Sequence, residues 1–268
     1  MVRVGLVGCG TIGSQLALAL QRDYPHVSRI TALHDIDRAR ARALSQQLHP
    51  HPPIVSLPVL LRKSQLVIEA ASSSVAGQVV RQALRAHRSV FVMSVGGLLR
   101  DRVWQRLARQ SRGRVYIPSG ALAGLDGVKA LAVGRIRRVS LTTRKPPRAL
   151  TSAPYVRRRR LHLEQLKRPA VIFEGSPRAV VEGFPQNTNV AAALTLASGD
   201  AGRLVRIRVV ADPTIRVNIH ELDVEGDCGR IQCRSESRPS ANPRTSELAV
   251  RSAIATLGRL FDPVSIGT

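Results

Sequence analysis

The feature that most constrains the fold is a glycine-rich turn between an apolar run and an amphipathic segment at the N-terminus. Residues 2–8 are rich in Val and Leu and predict a buried strand. Apolar residues then recur at helical spacing over residues 12–22. The turn between them, residues 8–13, matches the pattern G-x-G-x-x-G. A strand, this turn and a helix in that order are typical of a site for a dinucleotide.

Each glycine of the turn has a separate physical role. Gly8 permits the tight turn, Gly10 lets the backbone approach a pyrophosphate, and Gly13 lets the helix pack close to the strand. The free N–H groups at the helix start then bind the phosphates. The cofactor contacts predicted in this segment are Gly8, Gly10, Thr11, Ile12, Gly13 and Asp35.

An acid after the second predicted strand indicates which dinucleotide binds. Asp35 follows an apolar run over residues 30–34, about 22 residues after the last glycine of the turn. A carboxylate there accepts hydrogen bonds from the ribose 2′-hydroxyl and repels a 2′-phosphate. The sequence therefore favours NAD. Arg38 and Arg40 follow closely and leave NADP open.

Strand and helix patterns alternate as far as about residue 118, which predicts a parallel sheet wound by right-handed crossovers. A helix is expected at 99–110. The fold class is thus α/β, with an N-terminal Rossmann dinucleotide-binding domain at 1–118. A second α+β domain with an open mixed sheet is predicted at 119–240, followed by a C-terminal helix at 241–268 that packs back near the first domain.

The second domain has four predicted strands and one predicted helix. The strands are placed at 138–143, 170–174, 204–210 and 217–224, and the helix at about 185–198. In residues 204–209 apolar side chains alternate with arginines, which predicts a half-exposed strand. The basic stretch 144–168 is expected to be a solvated loop or helix face and the segment most prone to disorder. Thr245 or Ser246 is the expected N-cap of the last helix.

The charge balance raises the question of anionic partners. There are 41 Lys and Arg against 18 Asp and Glu, a net charge of +23. Such a surface attracts anions, nucleic acid included. However, aromatic residues make up only 3 % and the arginines are spread along the chain, so we do not expect specific nucleic-acid binding. No apolar run is long enough for a membrane span, and no signal peptide or metal site is apparent, so we expect a cytoplasmic protein.

The second half carries motifs far more specific than the glycine turn. In order they are residues 117–126 (IPSGALAGLD), 141–145 (LTTRK), 171–176 (VIFEGS), 184–192 (FPQNTNVAA), 210–213 (VADP), 218–221 (NIHE) and 242–246 (NPRTS). With them the chain resembles the L-aspartate dehydrogenase family over nearly its whole length. The resemblance implies NAD(P)-dependent oxidation of L-aspartate to iminoaspartate, which then yields oxaloacetate and ammonia.

The resemblance also implies roles for individual residues. It places the catalytic histidine at His220 and cofactor contacts at Ala123 and Asn189, and it places residues 69–72 beside the nicotinamide. Substrate contacts are predicted for Asn187, Ser119 and Asn218, with Asn187 also a near alternative to Asn189 for the cofactor. Asn218, on the same strand face as the histidine, is expected to orient its ring. The resemblance further implies a homo-oligomer and a place in pyridine nucleotide biosynthesis.

The chemistry fits a histidine, because its ordinary pKa of about 6.5 lets it take or give a proton near neutrality. It would deprotonate the substrate ammonium or activate the water that hydrolyses the imine, and the sequence leaves both open. Two other functions remain. One is a related two-domain oxidoreductase acting on another amino or keto acid. The other is a relative that binds nucleotides or nucleic acid without catalysis, supported only by the basic charge.

Overall fold

The computed structural model describes residues 1–100, 102–185, 188–238, 246–264 and 266–267. The chain forms two compact units. One comprises Met1–Pro118 with Ala253–Ser265, and the other comprises Ser119–Ser252 with Ile266–Thr268. The assignment of cofactor binding to 1–118 and of substrate binding to 119–240 remains a prediction about these units.

The first unit is a parallel sheet of five strands with helices, in the order β2-β1-β3-β4-β5. Its strands are β1 (Val2–Val7), β2 (Ser28–His34), β3 (Leu66–Glu69), β4 (Ser89–Val92) and β5 (Val115–Tyr116). Its helices are α1 (Thr11–Asp23), α2 (Arg38–Gln47), α3 (Leu57–Lys63), α4 (Ala76–Arg85) and α5 (Val103–Gln110). The three inner strands, β1, β3 and β4, are mostly buried, as their apolar sequences require when helices cover a parallel sheet.

Two helical details of this unit differ from the prediction. The short helix α3 was not expected, and the helix expected at 99–110 begins only at Val103. A 3₁₀ turn, Val95–Leu99, precedes it. Gly97 is the reason for the tight path, because a Cβ there would overlap the carbonyl oxygen of Ser73.

The second unit is a mixed sheet of five strands in the order β10-β9-β6-β8-β7. The strands are β6 (Ile136–Lys145), β7 (Ala170–Gly175), β8 (Val205–Ala211), β9 (Asn218–Gly226) and β10 (Arg230–Ser237). The helices are α6 (Leu125–Leu131), α7 (Pro154–Arg158), α8 (Pro177–Gly183) and α9 (Asn189–Ala197). Only β6 and β8 pair in parallel, and the other pairs are antiparallel.

The mixed sheet has one covered face and one open face, as the alternation in residues 204–209 predicted. In β8 the valines and isoleucine are buried, whereas Arg206 and Arg208 are exposed. Cross-strand ion pairs line the open face: Arg208 with Glu174 at 3.1 Å, Arg234 with Glu221 at 2.8 Å and Arg230 with Asp223 at 2.7 Å. Such exposed pairs contribute little stability, roughly 0–1 kcal/mol each.

The second unit differs from the prediction in three respects. Strand β10 was not predicted. The helix expected at 185–198 begins at Asn189, and the separate helix α8 lies before it. The basic stretch 144–168, expected to be a solvated loop or helix face, keeps Arg157 and Arg158 exposed on α7, but its apolar side chains pack into the core. Leu150, Val156 and Leu163 are at most 3 % exposed.

A last helix, α10 (Glu247–Gly258), ends in the first unit, where Ala253 and Leu257 join the core. The hydroxyl of Ser246 accepts a hydrogen bond from the N–H of Ala249, as an N-cap does, whereas Thr245 lies outside the described residues. No helix within the described ranges is long and apolar enough to cross a membrane.

Candidate active site

The glycine turn of the first unit is packed as the dinucleotide pattern requires. Gly8 has a φ of +95°, a conformation that favours glycine, and lies against the backbone of Ala70 at the end of β3. A Cβ on Gly13 would overlap the carbonyl oxygen of Gly8. Both glycines are therefore required for helix α1 to start this close to the strands.

Gly10 differs from the other two glycines, because a Cβ there would meet nothing within 4 Å. Open space beside the turn is what a pyrophosphate needs for close approach to the backbone. Gly10 is also the N-cap of α1 and provides no side chain to cap the helix. The N–H groups of the first turn thus remain available to an anion, so the residues present fit a bound dinucleotide.

Asp35 lies beside the same turn, where the ribose of a bound dinucleotide is expected. Its carboxylate accepts hydrogen bonds from the N–H of Cys9 at 2.6 Å and from the N–H of Asp37 at 2.8 Å. Burial, with a smaller contribution from Asp35, raises the pKa of the Cys9 thiol to about 12. Asp37 caps α2, and Arg40 forms an ion pair with it at 3.0 Å.

The strand ends next to the turn are joined by Glu69, which is fully buried. Its two carboxylate oxygens accept hydrogen bonds from the N–H groups of Ala71 and Ser94, both at 3.0 Å. Burial raises the pKa of this carboxyl group, and the hydrogen bonds oppose that effect. Glu69 therefore ties the loop after β3, which belongs to the segment 69–72 predicted to lie beside the nicotinamide, to the loop after β4.

His220 lies on the covered face of the second sheet and is 5 % exposed. Its Nδ1 is 3.1 Å from Oγ1 of Thr143, the residue opposite it on β6. Burial, and secondly the positive charge of Lys145, lower the pKa of the ring to about 3. The imidazole is therefore neutral at neutral pH. When Nδ1–H donates to Thr143, Nε2 carries the lone pair and can accept a proton.

Neither Thr143 nor Lys145 was predicted from the sequence. Asn218 was predicted to orient the ring; it is buried on the same strand, but the contact found at Nδ1 comes from Thr143. Lys145 is only 7 % exposed, and burial lowers its pKa to about 8. The motif at 141–145 could have indicated both residues, because positions 143 and 145 share one face of a strand.

The loop before α6 lies close to this histidine. The hydroxyl of Ser235, which is opposite His220 on β10, donates to the carbonyl oxygen of Ala121 at 2.7 Å. Gly124 ends the loop with a φ of +87° and lies against Cys233 of the same strand. These contacts fix the segment that holds two predicted contacts, Ser119 and Ala123.

The remaining predicted site residues are distributed as follows. Ser119 lies 2.9 Å, hydroxyl to hydroxyl, from Ser252, and Ala123 is exposed. Asn189 is exposed as the first residue of α9, next to Val190, which approaches the same loop near Gly120. Asn187 lies outside the described residues. The second unit thus brings together the 119–124 loop, the start of α9 and the histidine face.

Asp212, which follows β8, has a structural role. Its Oδ1 accepts hydrogen bonds from the N–H and the hydroxyl of Thr214, at 2.9 Å and 2.6 Å. This closes the turn around Pro213. Its Oδ2 lies 3.9 Å from Arg144.

Comparison with known proteins identifies the family. Residues 126–260, about half of the chain, match the family described as "Aspartate dehydrogenase, C-terminal". Residues 8–118 match "Homoserine dehydrogenase, NAD binding domain". The L-aspartate dehydrogenase of Methanosarcina barkeri is 41 % identical over 274 residues, and the match covers 100 % of both chains. The chain belongs to the L-aspartate dehydrogenase family.

Other members of the L-aspartate dehydrogenase family support the same conclusion. The enzyme of Bradyrhizobium diazoefficiens is 36 % identical, with 100 % of this chain and 94 % of that one covered. The crystal structure of aspartate dehydrogenase from Thermotoga maritima has a TM-score of 0.73 and 25 % identity and covers 100 % of both chains. The predicted family, the NAD(P) cofactor and the Rossmann domain with an open-sheet domain are confirmed.

A more distant likeness concerns the fold alone. A putative myo-inositol dehydrogenase from Sinorhizobium meliloti matches with a TM-score of 0.56 at 14 % identity, over 99 % of this chain and 91 % of that one. The two-unit architecture is thus shared with proteins whose names indicate other substrates. The substrate must be argued from the site of this chain and from its own family.

Proposed function

We propose that this protein oxidises L-aspartate to iminoaspartate with NAD, followed by hydrolysis to oxaloacetate and ammonia. The observation that supports it most is the buried His220–Thr143 pair within a chain that matches L-aspartate dehydrogenases over its whole length. A neutral imidazole held by a hydroxyl has a free nitrogen for a proton, and the negative charge of a bound substrate raises the pKa of the ring above about 3. The family supplies the substrate, which the geometry alone does not select.

In this proposal the glycine turn holds the pyrophosphate through the first N–H groups of α1, with Gly10 giving close access. The bound dinucleotide supplies the hydride acceptor. Asp35 binds the ribose hydroxyls and disfavours a 2′-phosphate, so NAD is preferred to NADP. Ala123 and Asn189 complete the cofactor contacts. Ser119, Asn187 and Asn218 contact the substrate.

The proton chemistry belongs to His220. Its Nε2 takes a proton from the substrate ammonium, so that the nitrogen lone pair is available when the carbon–hydrogen bond breaks. Thr143 holds the tautomer that leaves Nε2 unprotonated. The alternative role for the same nitrogen, after it has released that proton to solvent, is to accept a proton from the water that hydrolyses the imine.

Three broader statements belong to the proposal. All three cysteines are free, which agrees with the reducing environment of the cytoplasm. Iminoaspartate formed here would feed pyridine nucleotide biosynthesis. The open, ion-paired face of the second sheet offers a surface for a homo-oligomer.

The test is a substrate panel with both cofactors, followed by reduced-cofactor absorbance. L-Aspartate with NAD is expected to be best, and Asp35→Ser is expected to improve the use of NADP relative to NAD. His220→Gln should lower kcat by about 10²–10⁴-fold and leave NADH binding unchanged. The matched control is His162→Gln, an exposed histidine of the same unit.

Each outcome bears on a different part of the proposal. Full activity in His220→Gln would remove the role of the histidine. Faster turnover of another amino acid would replace the substrate. Salt-sensitive DNA binding without NADH formation from any amino acid would favour the non-catalytic alternative.

A further inference from the structure

The covered face of the second sheet is apolar except at one end, where buried polar side chains collect. This polar end comprises Thr143, Lys145, Asn218, His220, Ser235 and Ser237, each less than 10 % exposed. Hydroxyl and amide groups are commonly buried when they are hydrogen-bonded. A buried ammonium group is different, because its removal from water costs several kcal/mol unless charge-assisted contacts offset it.

The strand register locates this ammonium group next to the histidine. Thr143 lies opposite His220, and Arg144 lies opposite Ile219. Because side chains alternate between the faces of a sheet, Lys145 shares the covered face with Thr143. Continuing the register by one residue puts Asn218 opposite Lys145. The ammonium therefore lies at the end of the row that holds the histidine.

The neighbouring cation on β6 serves the fold. Arg144 points to the opposite face, where its Nε donates to Glu221 at 2.9 Å and its Nη1 lies 3.9 Å from Asp212. Its guanidinium thereby joins β6 to β9 and to the turn after β8. Of these two β6 cations, Lys145 is on the face that holds His220.

We propose that the ammonium group of Lys145 binds a carboxylate of the substrate beside His220. This inference rests on the proposed function, because it takes an amino dicarboxylate as the ligand. A carboxylate forms a charge-assisted hydrogen bond with the ammonium and offsets the cost of its burial. The added negative charge also counters the effect of Lys145 on the imidazole and raises the pKa of the ring towards a useful range.

The test compares Lys145→Met, which removes the charge and keeps the chain length, with Lys145→Arg, which keeps the charge. Lys129→Met is the matched control, since this lysine is exposed in the same unit. In Lys145→Met the KM for L-aspartate should rise by roughly 10–100-fold, the effect of losing one hydrogen bond to a charged group. In Lys145→Arg the KM for L-aspartate should lie between those of Lys145→Met and the wild type. The affinity for NADH, measured by titration, should be unchanged in all three variants.

Succinate, a dicarboxylate that does not react, gives a second readout. With NADH present it should raise the melting temperature of the wild type and of Lys129→Met, but not of Lys145→Met. Lys145→Gln takes the place of Lys145→Met in both assays should the latter not fold. A KM within about threefold of wild type, or an unchanged succinate effect, would overturn the inference; a threefold change is well under the ~1.5 kcal/mol expected of such a bond.

The two proposals fail in different ways. Suppose that the wild type and Lys145→Met oxidise L-aspartate equally well. This result contradicts only the role of Lys145. A wild type that is inactive on L-aspartate but binds succinate through Lys145 contradicts the proposed reaction and leaves the carboxylate site standing.

Discussion

Replacing Lys145 by Met should stabilise the protein at neutral pH. Burial lowers the pKa of this amine from 10.5 to about 8. The folded state therefore disfavours the ammonium form relative to the unfolded chain, by about 3 kcal/mol at 1.36 kcal/mol per pH unit. Methionine has a side chain of similar length and no charge, so Lys145→Met removes this penalty. The expected gain at pH 7 is up to about 3 kcal/mol.

The pH dependence gives the sharper test. Because the folded pKa lies below the unfolded pKa, the wild type carries the whole penalty below pH 8, loses it progressively as the pH rises to 10.5, and gains stability over that range. The advantage of Lys145→Met should therefore shrink over the same interval. The difference in the free energy of unfolding between the two proteins is measured by urea unfolding, followed by circular dichroism, at pH 7 and at intervals up to pH 10.5. Lys129→Met is the control.

A Lys145→Met variant less stable than wild type at pH 7 would refute the reasoning. It would mean that the hydrogen bonds of the amine exceed its desolvation cost. A difference in the free energy of unfolding that stays constant across the alkaline range would also refute the reasoning, because the amine would then have the same pKa in the folded and unfolded states.

Three further predictions concern the glycine turn of the first unit and the residues around His220 in the second. Thr143→Val should lower kcat about tenfold or more with little change in NADH binding, since it removes the hydroxyl that orients the ring of His220. Steady-state kinetics and NADH titration measure these effects, and an unchanged kcat would contradict the role of the hydroxyl. Gly13→Ala should lose cofactor binding or fold poorly because its Cβ overlaps Gly8, whereas Gly10→Ala should fold normally and bind NADH more weakly; equal stability of the two in thermal melts would be inconsistent with the packing. The ring of His220 has a folded pKa of about 3 against an ordinary 6.5, so the wild type should lose stability as the pH falls from 6.5 towards 3, by about 2 kcal/mol at pH 5. His220→Gln should flatten this part of the unfolding profile, and an unaltered slope would assign it to other groups.

The parts of the fold that the sequence predicted are those with strong periodicity. The buried strands of the first unit are continuous apolar runs, and the glycine turn has a fixed geometry. Strand β10 was not predicted because it is an edge strand and mostly exposed. Its polar residues Arg230, Gln232 and Arg234 are as typical of a surface loop as of a strand. The short helix α3 offers too few turns for a helical period to emerge.

The site was predicted in part for a related reason. Motifs pointed to His220 and to the glycine turn, but Thr143 became relevant only through its register with β9, which is a long-range pairing. Lys145 was overlooked because a lysine in a strand is normally expected at the surface. Whether a charged side chain is buried depends on which face the helices cover, and sequence periodicity in one strand does not determine that.

The unreactive thiol of Cys9 has a practical consequence for labelling. Only the thiolate attacks maleimides and peroxides, and a pKa of about 12 leaves almost none of it near neutrality. Cys228, by contrast, is exposed between β9 and β10, and Cys233 is half-buried. A fluorophore or spin label should therefore attach at Cys228 while the glycine turn stays unmodified, which gives a reporter for ligand titrations without any cysteine replacement.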